Sequence, residues 1–251
     1  MRKPVVLALL GTLWLMTGAA SWMQFQSVPA DGSEGMTVTG LYRMPEGQGP
    51  FPAVIMVPDC DGISPHERQW GVRLAEAGYA VHLLDSLFTR NQETGCGHAD
   101  AFDQRDDVRG SIAKLLTLPE VDPERIYVMG WQDGADVALA MAGEAPDGMA
   151  GAVVFYPSCA AQPALLRPTL FVAPDQYDGA ALCDAYMRRE HGAGQVRIQR
   201  IAPYGVGAGF DCESCIDGYL GGAGGYNQAA AELVEGALLD EMARLIREPA
   251  E

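Results

Sequence analysis

Short apolar runs bounded by turn-forming residues alternate along this chain with stretches whose apolar positions recur every three or four residues. That alternation predicts an α/β fold, a mostly parallel central sheet with helices on both faces. The runs Met36–Tyr42, Ala53–Val57, Ala80–Leu84, Ile126–Met129, Ala152–Tyr156, Thr169–Ala173 and Gln195–Ile201 read as strands. Helices fit between most of them. Ser64-Pro65-His66-Glu67 joins an N-cap serine, a proline at the first helical position and a glutamate at the third, so a helix starts at Pro65. Gly78 ends it after about Ala77. Further helices are expected over Phe102–Leu118, Asp178–His191 and Tyr226–Ile246, the last with Leu233, Ala237, Leu238, Met242 and Leu245 along one face. The glycine-rich segment from Gly205 to Gly225 reads as a loop at the end of the sheet.

One turn carries the chemistry. Gly130-Trp131-Gln132-Asp133-Gly134 has the spacing G-x-Nu-x-G, with the strand Arg125–Met129 before it and the helix Asp133–Met141 after it. Strand, tight turn and helix are the context in which such a turn holds up a nucleophile. The nucleophile position, however, is Gln132. A carboxamide nitrogen is delocalised into its carbonyl and no neighbouring base can activate it, so covalent catalysis at this turn is not expected. Shifting the turn by one residue would offer Asp133, but would put Trp131 where a very small residue is wanted.

The chain is long enough, and about half hydrophobic, to bury one substantial core. Residues 1–20 combine Arg2-Lys3, an apolar run from Val5 to Met16 and the small residues Thr17–Ser21, the pattern of a secretory signal cleaved near Ala20. An uncleaved anchor is the other reading, although the run is short against the ~20 apolar residues of a spanning helix. Residues 21–35 read as a linker and 36–247 as the domain. Losing Arg2 and Lys3 takes the formal charge from −16 to −18, leaving Lys114 as the sole lysine. Such a protein repels nucleic acid and anionic lipid, so neither is an expected partner, and no membrane association is expected beyond the first segment. The expected location is outside the cytoplasm, periplasmic or extracellular.

Six cysteines in an exported chain imply disulfides. Cys60 and Cys96 follow the ends of neighbouring strands, and Cys159 and Cys183 flank the next strand, which favours the pairs 60–96 and 159–183 and leaves 212–215. Six cysteines allow 15 pairings, and Cys212-Glu213-Ser214-Cys215 could also be a redox C-x-x-C. The four histidines, His66, His82, His98 and His191, show no metal-ligand spacing, and Asp106 and Asp107 read as a solvated helix face, so no metal and no cofactor is expected.

From about Gly40 to Ile246 the chain resembles exported members of the dienelactone hydrolase family of the α/β-hydrolase fold. The resemblance rests on Phe51–Val57, Cys60–His66, Trp70, Leu74, Gly78-Tyr79-Ala80 and Asp85-Ser86. It continues through Val121–Ile126, Tyr156-Pro157-Ser158-Cys159 and Gly209-Phe210-Asp211. It implies a triad of nucleophile, acid and histidine. Its acid position falls on Asp175, its nucleophile on Gln132, and its histidine, directly before Gly-Phe-Asp, on Ala208. Pro58-Asp59 stands where relatives carry His-Gly, in the loop that supplies an oxyanion donor, and Asp59 there opposes stabilisation of negative charge.

Loss of nucleophile or base costs a triad hydrolase about a millionfold, which reduces a typical turnover near ~10 s⁻¹ to about one event per day. The expected role is therefore that of a catalytically degenerate hydrolase that binds a small molecule or serves as a scaffold for an envelope protein. The expected cleft lies at the carboxyl ends of the strands, lined by Gln132, Asp133, Asp59, Tyr177 and the loop around Ala208. The alternative is an active ester or lactone hydrolase in which Asp175 or Asp133 activates water.

Overall fold

The computed structural model describes residues 20–96, 103–192, 196–215 and 225–247. The eight strands are β1 (Ser21–Gln26), β2 (Thr37–Arg43), β3 (Phe51–Val57), β4 (Ala80–Asp85), β5 (Val121–Trp131), β6 (Met149–Phe155), β7 (Thr169–Val172) and β8 (Ile198–Ile201). They form one sheet in the order β1-β2-β4-β3-β5-β6-β7-β8. The first two pairings are antiparallel and all others parallel.

The helices are α1 (Pro65–Glu76), α2 (Gln104–Leu115), α3 (Asp133–Glu144), α4 (Ala180–Met187) and α5 (Gln228–Arg247). Alternation along β3 shows how the two layers arise. Ala53, Ile55 and Val57 face a core with Val108 and Ile112 of α2, Leu139 of α3 and Tyr186 of α4. Val54 and Met56 face the other, with Trp70 and Leu74 of α1 and Leu238 of α5. A strand buried on both faces has no polar side to show, which is why its sequence is an unbroken apolar run.

The start of α1 is the capping box read from the sequence. Ser64 Oγ accepts from the His66 N–H at 3.1 Å and the Glu67 carboxylate accepts from the Ser64 N–H at 2.8 Å. The loop before it is tied to the rest by the disulfide Cys60–Cys96. Cys159–Cys183 and Cys212–Cys215 complete the pairing that strand adjacency favoured.

Two expectations are corrected. Residues 21–35 are not a linker throughout, because Ser21–Gln26 pairs along its length with Thr37–Tyr42 and buries Phe25. Its polar alternation marks it as an edge strand with one face in water. Asp107 is not on a solvated face: it is fully buried on the inner side of α2, where both its oxygens accept from the Arg90 guanidinium at 2.8 Å. His98 lies outside the described residues, as does Phe102 at the expected start of α2.

Candidate functional site

The turn between β5 and α3 is a tight elbow. Gln132 has φ 46° and ψ −111°, a backbone conformation that non-glycine residues rarely hold. Its N–H donates to the Phe155 carbonyl at 3.1 Å, and its own carbonyl accepts from the Asp136 N–H at 3.0 Å. The flanking glycines are there because backbone passes too close for a side chain. A Cβ on Gly130 would stand 2.2 Å from the Gly134 carbonyl oxygen, and one on Gly134 would stand 2.3 Å from that of Val57. The turn thus keeps the geometry that exposes a nucleophile, and the residue so exposed is a glutamine.

A cleft of about 230 Å³ opens beside it, at the carboxyl ends of β5, β6 and β7. Gln132, Asp133 and Asp136 form one wall, Tyr156, Pro157 and Ser158 a second, and Tyr177, Asp178 and Gly179 a third, with Ala208 between. The structure brings together four of the residues expected from sequence: Gln132, Asp133, Tyr177 and Ala208. Asp175 is not among the lining residues. It is exposed and accepts from the Gly205 N–H at 2.7 Å, bracing the loop that leads to Ala208.

Asp59 is corrected as well. It does not line the cleft but lies buried, 4% exposed, next to Asp133. Its Oδ1 accepts from the Cys60 N–H at 2.7 Å and, more distantly, from the Asp133 N–H at 3.4 Å. In an elbow of this geometry the N–H after the nucleophile and one from the loop after β3 make the oxyanion hole. Here Asp59 Oδ1 accepts from the N–H after Gln132, that of Asp133, and from one N–H of the loop after β3, that of Cys60. Burial pushes the Asp59 carboxyl up to about 6, opposed by the Cys60 N–H and reinforced by the charge of Asp133.

Asp136 has a structural duty. It accepts from the N–H groups of Ser158 and Cys159 and from the Gln162 amide, each at 3.2 Å, and so holds the strand-end loop that carries the Cys159–Cys183 disulfide. Burial raises its carboxyl above the ordinary range, against those hydrogen bonds. Tyr177 lines the cleft with a buried hydroxyl that has no hydrogen-bond partner, and burial raises the phenol as well.

Beneath the cleft lies a cluster that the sequence did not reveal. Tyr156 donates its hydroxyl to Asp211 Oδ1 at 3.1 Å, Trp70 Nε1 donates to Oδ2 at 3.2 Å, and His66 Nε2 stands 3.3 Å from Oδ2. All four side chains are buried. Burial alone would raise the Asp211 carboxyl, but the hydrogen bond and charge of His66, with further hydrogen bonds from its own backbone and from Tyr156, together hold it below its ordinary value. Burial likewise pulls His66 down, and Asp211 together with the charge of Glu67 overcomes it to leave the imidazole raised. The signal available was Asp211 within Gly-Phe-Asp and His66 at the capping box, but their 145-residue separation hid the pairing. Neither residue lines the cleft. Asp178 and Ser158 were also missed, since nothing in an isolated loop residue marks it as a wall.

The Gln132 carboxamide is no nucleophile and the Ala208 methyl carries no exchangeable proton. Among the described residues, side chains of the kind that could hold a metal occur as Cys60, Asp61 and Cys96, and as Asp59, Cys60 and Asp133. Both groups count a disulfide-bonded sulfur, which is a poor ligand compared with a thiolate.

The model of the dienelactone hydrolase family matches residues 38–174. An esterase FrsA of Klebsiella pneumoniae subsp. pneumoniae is 27% identical over 115 residues, 43% of this chain and 25% of its own length. An esterase FrsA of an Enterobacter species is 31% identical over 120 residues, 43% of this chain and 26% of its own. The chain thus spans about a quarter of these curated relatives. Among solved structures, a dienelactone hydrolase from Anabaena variabilis aligns with a TM-score of 0.65 at 18% identity, covering 89% of this chain and 98% of that one. A dienelactone hydrolase-like promiscuous phosphotriesterase from metagenomic libraries gives 0.68 at 20%, covering 91% and 99%. At such identities these two share the fold. With its α/β-hydrolase architecture and a family match over more than half its length, the chain belongs to the dienelactone hydrolase family.

Proposed function

We propose that this protein is a catalytically degenerate member of the family, and that it binds a small molecule in the cleft beside Gln132. The observation that carries this is the Asp59 carboxylate on the Cys60 and Asp133 N–H groups. An anion already seated there cannot coexist with the developing oxyanion of ester or lactone cleavage, whose stabilisation is usually the largest catalytic contribution. Gln132 at the elbow and Ala208 on the cleft wall remove nucleophile and base as well. What survives is the cleft itself, with a strained, fixed backbone around it. Its place of action is the cell envelope or beyond, supported by the signal-like first residues and by three disulfides that an oxidising compartment maintains.

The test is hydrolysis of short activated esters and lactones by the oxidised protein. Rates equal to buffer support the proposal, and turnover well above buffer sinks it. One observation favours the alternative of an active hydrolase: carboxylate oxygens of Asp59 and Asp133 lie within 4.8 Å of each other, and burial pushes the Asp59 carboxyl up to about 6. A buried carboxyl with a raised pKa can serve as a general acid or base. That reading requires measurable turnover, abolished by Asp133→Asn.

A further inference from the structure

We propose that Cys212–Cys215 is an exchange-active disulfide, a redox site separate from the cleft that takes two electrons from an accessible dithiol. The inference is independent of what the cleft binds, since neither cysteine lines it. The three bridges of this chain differ in what they hold together. Cys60–Cys96 spans 36 residues and Cys159–Cys183 spans 24, so each ties distant loops. Cys212–Cys215 spans three. A bridge stabilises by removing freedom from the unfolded chain, and less so as the closed loop shortens, so this one contributes least to the fold. Its C-x-x-C spacing is one at which cysteine pairs exchange readily.

Access separates the bridges further. Cys159 and Cys183 are 6% and 0% exposed, closed to an attacking thiol. Cys60 and Cys96 are half-buried, but Asp61 Oδ1 stands 3.1 Å from Cys96 Sγ, and a carboxylate there repels an incoming thiolate. At Cys212–Cys215 one sulfur is offered and the other is held. Cys215 is half-buried, whereas Cys212 is 1% exposed. Glu213 between them is exposed, where water and salt screen its charge. Cys212 donates its N–H to the Gly209 carbonyl at 3.0 Å and follows Asp211, whose carboxylate is fixed by Tyr156 and Trp70 and faces His66. Opening the bridge therefore leaves Cys212 in place, and Cys215 can return to it. Ser214 Oγ lies 3.7 Å from Cys212 Sγ and can turn its hydroxyl toward a thiolate there.

The exchange balances in two displacements. A thiolate of the dithiol attacks Cys215 Sγ, the S–S bond breaks, and its electron pair leaves on Cys212 Sγ, which takes up a proton. The second thiolate of the dithiol then attacks the dithiol's own sulfur in the mixed disulfide and releases Cys215, which is protonated in turn. The dithiol ends as a disulfide, and the protein gains the two electrons and two protons that the dithiol gave up.

Timed incubation of the oxidised full chain with dithiothreitol at neutral pH, followed by acid quench, alkylation and peptide mass spectrometry, tests this, with circular dichroism recorded alongside. The expected result is that Cys212 and Cys215 become labelled about tenfold or more faster than the other four cysteines, at unchanged helical signal. Oxidised dithiothreitol should appear in equal molar amount. Labelling of Cys60 and Cys96 first or at the same rate, or of Cys212 and Cys215 only as the helical signal is lost, would overturn the inference. Cys212→Ser and Cys215→Ser test the direction of attack. Cys215 left alone is expected to form a mixed disulfide with oxidised glutathione about tenfold faster than Cys212 left alone. Equal rates, or Cys212 the faster, would overturn the assignment of Cys215 as the sulfur attacked. The native chain decides the proposal by itself should either variant fail to fold.

Discussion

Asp59 Oδ1 accepts from the Asp133 N–H at 3.4 Å while the two side-chain carboxylates approach within 4.8 Å, so the first turn of α3 both attracts Asp59 through its backbone and repels it through its side chain. The Asp59 carboxyl, raised from 3.8 to about 6, records the net cost, of which burial is the largest part. A carboxyl with a higher pKa folded than unfolded holds its proton better in the folded state. Ionisation therefore costs stability, nothing well below pH 3.8, increasingly as pH rises through about 6, and constantly above. Asp59→Asn keeps an acceptor for both N–H groups without the charge. It is expected to stabilise the protein at pH 8 by up to roughly 2 to 3 kcal/mol, fading to nothing near pH 4. Urea unfolding across that range measures it, and a gain independent of pH would contradict the assignment.

If the chain is catalytically degenerate, as proposed, gaining hydrolysis requires more than changing Gln132 and Ala208. Gln132→Ser/Ala208→His returns a hydroxyl and an imidazole to two residues that line one cleft, yet leaves Asp59 on the oxyanion donors. Adding Asp59→Gly should raise ester hydrolysis over the double variant by about a hundredfold, the lower end of what one oxyanion donor contributes. Steady-state rates on p-nitrophenyl acetate decide it. If the triple variant is no faster than the double, Asp59 is not what closes the hole.

Most of the frame was legible because its signals are local. The unbroken apolar run of β3, the capping box at Ser64 and the glycines around Gln132 each declare their structure within a few residues. β1 was missed because an edge strand such as Ser21–Gln26 buries little and therefore carries a weak pattern. Asp107 was misread because a buried acid on a helix looks like any other until its partner, Arg90, is known to fold back over it. Asp59 was suspected for its charge, but its hydrogen bonds to Cys60 and Asp133 depend on the approach of two loops. Nothing in composition could give that approach.

The His66–Asp211 pair should be a stability element with a definite pH window. Asp211 is lowered from 3.8, so its contribution is present above that value and is lost as pH falls through the folded pKa. His66 is raised from 6.5, so its contribution is present below that value and is lost as pH rises through the folded pKa. Both are in force between about pH 4 and 6.5. His66→Leu leaves Asp211 buried without its cation and is expected to cost about 3 to 5 kcal/mol in that window, less at higher pH. Thermal melts at pH 5.5 and 8.5 check this. An equal loss at both would mean that His66 contributes packing against Trp131, 5.5 Å away ring to ring, and not charge.

Gln132 and Gly134 should respond in opposite directions to substitution, although they sit two residues apart. Gly134→Ala places a Cβ 2.3 Å from the Val57 carbonyl oxygen and 2.4 Å from that of Pro58, both backbone atoms that cannot rotate aside. The variant is expected to lose roughly 2 to 3 kcal/mol or more as β3 and α3 are forced apart. Gln132 instead holds a side chain at φ 46°, which costs about 1 to 3 kcal/mol for a non-glycine residue. Its side chain makes no hydrogen bond among the described residues. Gln132→Gly relieves that strain and surrenders only the added freedom of the unfolded glycine, about 0.5 to 1 kcal/mol, so it is expected to melt higher than the parent. A lower melting temperature for Gln132→Gly would show that the glutamine makes contacts whose value exceeds the strain. Strain held at an elbow that presents a glutamine is what the proposed binding role would keep, since the same turn sets the wall of the cleft.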